Sequence, residues 1–207
     1  IVRDFDRLPL TGARKPRVGV VGEILVKYHP TANGNLIHQL EAEGCEVSVT
    51  GMIEFFSYCI SNPIWHSVTL GTSKAKAHAS QAALSLVAKA RRALNGELAK
   101  SKRFEPFSDI NDLAELAKPV VSLCNNAGEG WYLVADTRKL ITDGVRNVVC
   151  IQPFGCLPNH VLGRGTLREL QRRHPEANIM ALDFDPGASE ANQQNRLKLF
   201  LAVAKGC

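Results

Sequence analysis

Cys156 is the residue with the most chemistry open to it. It lies in the run NVVCIQPFGCLPNHVLGRG, residues 147 to 165. Pro153 and Pro158 flank it, Gly155 precedes it and Gly163 and Gly165 follow, so the backbone of the loop is largely fixed in advance. A thiol held there beside backbone amides suits metal or cluster ligation, or redox work. The plain alternative is a tight turn carrying a half-buried, inert thiol. A hydrolase pairing Cys156 with His160 would need a helical segment between them, and Pro158 argues against one.

Carboxylates and amides supply the remaining candidates. Glu23 closes the first apolar run, and Asn159 and His160 follow the cysteine loop. Glu129 sits in CNNAGEG, residues 124 to 130, a Gly- and Asn-rich lead into a helix. Such a lead can present amides to an anion, but the charge of Glu129 disfavours a phosphate beside it. Asp183 and Asp185, two apart at a strand end, point the same way while extended. They could form a hard-cation site or a hydrogen-bond anchor, or simply cap and turn the chain.

Positioning these side chains requires alternating strands and helices. RVGVV (17–21), CEVSVT (45–50), NVVCIQ (147–152) and NIMALD (178–183) read as strands, each followed by a loop with Gly, Asn or Asp. Helices are expected from about Asn35 to Glu43, Trp131 to Asp143, Thr166 to Arg173 and Ser189 to Ala204. The fold class is therefore α/β, with a three-layer parallel sheet of about four strands. Ligands in such sheets gather beyond the carboxyl ends of the strands. The loops meeting at that rim are 22–34, 51–59, 153–165 and 183–189, and Glu129 joins them if its own loop folds back. The turn after the first strand lacks GxGxxG spacing, which excludes a dinucleotide fingerprint.

Residues 1 to 15 read as a linker, and 16 to 207 as the α/β domain, with a helical insertion over about 52 to 122. Within the insertion, Ser73 to Leu98 is a long helix of high intrinsic propensity. Its expected packing stripe is Ala79, Ala82, Ala83, Leu86, Val87, Ala90 and Leu94. A further helix from Asp109 to Leu123 is disturbed by Pro119.

Of the 207 residues 45% are apolar and 22% charged, ordinary for a globular protein. The net charge of +5 comes from Arg164, Arg168, Arg172 and Arg173, with Arg91, Arg92, Lys100, Lys102 and Arg103, read as solvated helix faces. No basic stripe interleaved with aromatics points to nucleic acid. No apolar run approaches the roughly 18 residues that span a bilayer. The six cysteines (Cys45, Cys59, Cys124, Cys150, Cys156, Cys207) form no CxxC pair, which excludes a zinc ribbon or thioredoxin-like motif and fits the reducing cytoplasm. Cys150 alternates within its strand and is expected to face the core. Beginning at Ile1 without Met, the chain reads as a piece of something longer.

Four blocks, GVVGEILVKYHPTANGNL, NNAGEGW, VVCIQPFGCLPNHVLGRG and ALDFDPGASEANQQNRLKL, resemble the carboxyl-terminal part of the acyl-CoA dehydratase activase-related proteins. That family is related to the 2-hydroxyacyl-CoA dehydratase and benzoyl-CoA reductase systems. The resemblance runs from about residue 16 onward, and QPFGCLPNH and DPGASEANQQNR are its specific parts. It implies a Rossmann/flavodoxin-like, dehydratase-like module of bacterial anaerobic metabolism. Such a module takes part in ATP-driven, low-potential electron transfer through an iron–sulfur cluster. The implied cofactor is a [4Fe-4S] cluster with Cys156 as ligand. Further ligands would come from upstream, so this segment alone need not carry a cluster. ATP belongs to a separate ATPase activase domain or subunit, since no Walker A motif is present here. Glu23, Glu129, Asn159, His160, Asp183 and Asp185 become candidate substrate or supporting contacts. The implied partners are that ATPase, an acyl-CoA and a second copy in a homo-oligomer. The alternative is a non-catalytic docking module that positions the ATPase against its partner.

Overall fold

The computed structural model describes residues 1–10, 12–185, 187 and 189–206. Pro186 and Ala188, in the last rim loop, and Cys207 lie outside the described residues. In chain order the elements are α1 (Val2–Arg7), β1 (Arg17–Gly22), α2 (Ile24–Tyr28), α3 (Leu36–Ala42), β2 (Glu46–Val49), α4 (Met52–Leu70), α5 (Lys74–Leu98) and α6 (Ile110–Ala117). There follow α7 (Gly130–Thr142), β3 (Asn147–Pro153), a π-helical turn (Asn159–Arg164), α8 (Leu167–Arg173), β4 (Asn178–Phe184) and α9 (Glu190–Lys205). The chain divides into two compact units, residues 1–14 with 52–112, and 15–51 with 113–207.

The second unit holds the sheet. Its four strands are all parallel, in the order β2-β1-β3-β4, the doubly wound arrangement of Rossmann- and flavodoxin-like folds. The alternation of side chains along each strand builds two cores. Val18, Val20, Val149 and Ile151 face one side, packing with Leu36 and Leu40 of α3 and Leu197, Phe200 and Leu201 of α9. Val21, Val148 and Cys150 face the other, with Leu133, Leu140 and Ile141 of α7 and Leu170 of α8. Cys150 is therefore a core residue, as its place in the strand predicts.

The outer edge of β4 is sealed by side chains. Gln171 donates to the carbonyl of Ile179 at 3.4 Å, Arg196 to Ala181 at 2.6 Å and Gln193 to Asp183 at 2.7 Å. The basic face of α8 is partly neutralised from within. Glu169 binds both Arg172 and Arg173, which hold its carboxyl at about 2.

In the first unit α4 and α5 pack along one another. The packing stripe of α5 differs from the expected one. Ala77, Ser80, Ala83, Leu84, Val87, Arg91, Asn95 and Leu98 are buried or half-buried, whereas Ala79, Ala82, Leu86, Ala90 and Leu94 are exposed. α4 contributes Glu54, Ser57, Tyr58 and Ser61 at helical spacing. Two further expectations change. Residues 1 to 15 are not a plain linker, because α1 forms and Arg103 donates to the carbonyls of Phe5 and Leu8 at 2.6 Å each. The insertion also ends earlier than residue 122, since 113–122 belong to the sheet unit. α6 stops at Ala117, two residues before Pro119, as proline's clash with the preceding turn requires. Among the described residues no helix is long and apolar enough to cross a membrane.

Candidate functional site at the switch point of the sheet

The chain runs from β1 outward to β2, then returns to lay β3 on the opposite flank of β1. The carboxyl ends of β1 and β3 thus straddle the topological switch point, where open α/β sheets form their ligand crevice. Their approach there is very close. Gly22 has φ +143°, and a Cβ on it would lie 1.9 Å from the Ile151 carbonyl oxygen. Only glycine permits this. The gain is that the N–H of the next residue, Glu23, donates to that carbonyl at 2.9 Å.

Glu23 is the N-cap of α2, its carboxylate accepting from the Val26 N–H at 2.8 Å. Glu129 does fold back to the rim, its Oε1 accepting from the Ile24 N–H at 3.0 Å. Asn159, with no exposed surface, joins the two. In the orientation its neighbours demand, its amide nitrogen donates to Glu129 Oε2 at 2.9 Å and its oxygen accepts from the Glu23 N–H at 3.2 Å. Burial raises the Glu129 carboxyl above its ordinary value, and the nearby Glu23 adds to this; the Ile24 N–H and Lys27 oppose it.

Cys156 stands half-exposed beside this group. Partial burial raises its thiol above the usual range, and Glu129 and Glu23 push the same way, while the Asn159 N–H works against them. The segment after it is helical, contrary to expectation. His160 N–H donates to the Cys156 carbonyl at 2.9 Å, and Pro158 falls in the first turn, where its missing N–H leaves nothing unpaired. The imidazole does not serve the thiol. Nδ1 lies 3.0 Å from the Cys156 carbonyl oxygen and 3.3 Å from Gln152 Nε2, so it faces the loop's own main chain and β3.

Asp183 and Asp185 have separate roles. Asp183 accepts from the buried Gln152 at 2.7 Å and from Arg164 at 2.9 Å. Asp185 turns the chain by accepting from the Gly187 N–H at 3.1 Å. The loop expected over 51–59 is instead helix, α4 starting at Met52 in the other unit.

A second polar group escaped the sequence reading. Lys27, 2% exposed, donates to Thr50 Oγ1 at 3.0 Å, and Thr50 donates to Asp136 Oδ2 at 2.7 Å. Tyr28 hydroxyl donates to the Thr50 carbonyl. Glu129 and Asp136 are two turns apart on α7, so one helix face grips α2 along its length. The one available signal was a lysine four residues beyond Glu23 in an otherwise apolar helix.

Among the described residues the donor set for a cluster is incomplete. Four thiolates commonly hold four iron atoms. Cys45 and Cys150 are buried in the two cores, and burial drives Cys150 to about 12. Cys59 lies in the other unit. Among the described residues no three His, Cys, Asp or Glu side chains gather as a metal site. Cys124 is half-exposed in the lead into α7, and Cys156 offers one thiolate at the rim. Comparison of the chain with protein-family models, curated proteins and solved structures finds no match in any of the three.

Proposed function

We propose that this chain is the dehydratase-like module of a 2-hydroxyacyl-CoA dehydratase activase-type protein, acting in ATP-driven, low-potential electron transfer. Cys156 supplies one thiolate to a [4Fe-4S] cluster, and the other ligands come from outside this chain. The observation that supports the reading is a half-exposed thiol in the β3 loop at the switch point, bordered by Glu23, Asn159 and Glu129. The four sequence blocks of the resemblance supply these same rim residues. In this reading ATP is hydrolysed on a separate ATPase part, an acyl-CoA enters the same crevice, and the setting is the cytoplasm of an anaerobically living bacterium. His160, with Nδ1 committed to the main chain, and Asp183, tied to Gln152 and Arg164, keep the thiol's loop in place.

The test is iron and acid-labile sulfide content, with the visible spectrum, of the complete protein purified without oxygen together with its ATPase part. Cys156→Ala should lose most of the iron and the broad visible absorbance, while Cys59→Ala should keep both. An unchanged spectrum in Cys156→Ala removes the ligand assignment. A non-catalytic docking module is the second reading, favoured by Phe56, Leu86 and Leu94, which are 54%, 69% and 57% exposed on α4 and α5. Under it the purified complex holds no iron, and Leu86→Asp weakens retention of the ATPase part.

A further inference from the structure

The two edges of the sheet are finished differently. Asn178 N–H bonds inward to Arg146, so alternation turns Ile179, Ala181 and Asp183 outward on β4. All three outward carbonyls there are occupied by side chains of α8 and α9. On β2, Glu46 N–H bonds inward to the Pro16 carbonyl. The same alternation turns the N–H and C=O of Val47 and Val49 outward. Among the described residues nothing donates to or accepts from these four groups. One edge is closed against further strands, and the other is left as an open ladder.

We infer that β2 pairs antiparallel with β2 of a second copy, about a two-fold axis at Ser48, to make one continuous sheet of twice the width. The open groups fit this register. Val47 would face the partner's Val49, and in such a pair both residues exchange two main-chain hydrogen bonds. The two-fold repeats the exchange at Val49. Across the seam serine meets serine and Glu46 meets threonine, so no like charges are opposed. Val47 and Val49 pack against the core cluster of α3 and α9, and the pairing would run that apolar face on into the partner's. A two-fold interface of this kind is self-complementary, which a parallel pairing of the same strand is not. The pairing stands independently of the cluster.

Sedimentation equilibrium of the full chain tests it. Wild type should show a concentration-dependent dimer, and Val49→Pro should be monomeric with an unchanged far-ultraviolet spectrum. Proline is tolerated there because the N–H it removes points away from β1. Hydrogen exchange at the Val47 and Val49 amides should slow as protein concentration rises. Wild type that stays monomeric at several hundred micromolar overturns the inference, and so does a dimer that Val49→Pro leaves intact. If Val49→Pro loses its fold, the exchange rates at Val47 and Val49 decide: no dependence on concentration overturns the pairing.

Discussion

Asn159 sets the character of the switch point, because one small buried amide serves two carboxylate-bearing segments at once. Glu129, its partner, carries a raised pKa, and the sign of the linkage follows. A carboxyl that holds its proton more tightly when folded stabilises the protein fully below its ordinary value. That stability is lost as pH rises through the raised folded value. Wild type should therefore lose stability relative to Glu129→Gln from about pH 4.5 upward, by on the order of 1 kcal/mol for each unit of displacement. Urea denaturation of both proteins at a series of pH values measures this, and a constant difference across the window would sink it. Loop composition marked Cys156 and Glu129, and Glu23 and Asn159 entered as supporting contacts of that thiol in the iron–sulfur reading. The link from Thr50 to Asp136 was illegible, since 86 residues separate them and neither stands in a motif.

At the scale of elements, the strands were legible and the long helix was only half so. β1 and β3 are short runs rich in β-branched residues and buried on both faces, and their length and composition read as strand. α5 is apolar on more than one side, and alanine counts as apolar without supplying much surface to bury. The face that packs is the one with Leu84, Val87 and the long side chains of Arg91 and Asn95. Pro158 misled for a related reason: a proline in the first turn of a helix reads like one that breaks it. The core of the α4–α5 pair is polar. Arg91 donates to Glu54 at 2.5 Å and stacks on Phe107 at 4.4 Å, yet Arg91 Nε and Glu54 Oε2 are buried without partners. A pair this incompletely bonded has a desolvation penalty that its attraction does not fully offset. Glu54→Leu alone should destabilise by about 3 kcal/mol, whereas Glu54→Leu with Arg91→Met should match or exceed wild type. A double-mutant cycle in urea decides, and additive losses would refute the claim.

For the molecule as a whole, the two units differ in how much apolar side chain they bury. The sheet unit has two cores, one on each face. In the other, among the described residues, Tyr58, Leu84 and Ile110 are the buried large apolar side chains, and of these Tyr58 alone has no exposed surface. Each unit holds one tryptophan, Trp65 in the helical unit and Trp131, with no exposed surface, in the sheet unit. The helical unit should unfold first, since local stability follows buried apolar contact. In urea, Trp131 fluorescence followed in Trp65→Phe should change at higher concentration than far-ultraviolet ellipticity begins to fall. Coincident curves would mean one cooperative unit. Parallel strands were implied by strand–helix alternation, but neither their order nor the division into two units was. It depends on where residues 1–14 and 113–122 pack, and local pattern does not encode that.

The wide turn from Asn159 to Arg164 works as a spacer of fixed length. Its first residue is committed to the β1 side of the crevice and its last to Asp183 on the β4 side. A π turn carries one more residue than the α-helical turn it replaces. Shortened by one, the segment would relax to ordinary helix and swing its far end round by roughly 100°. Only one of the two anchors would then be reached. Homologues that share this crevice should therefore tolerate changes of side chain along the turn far more readily than a change in its number of residues.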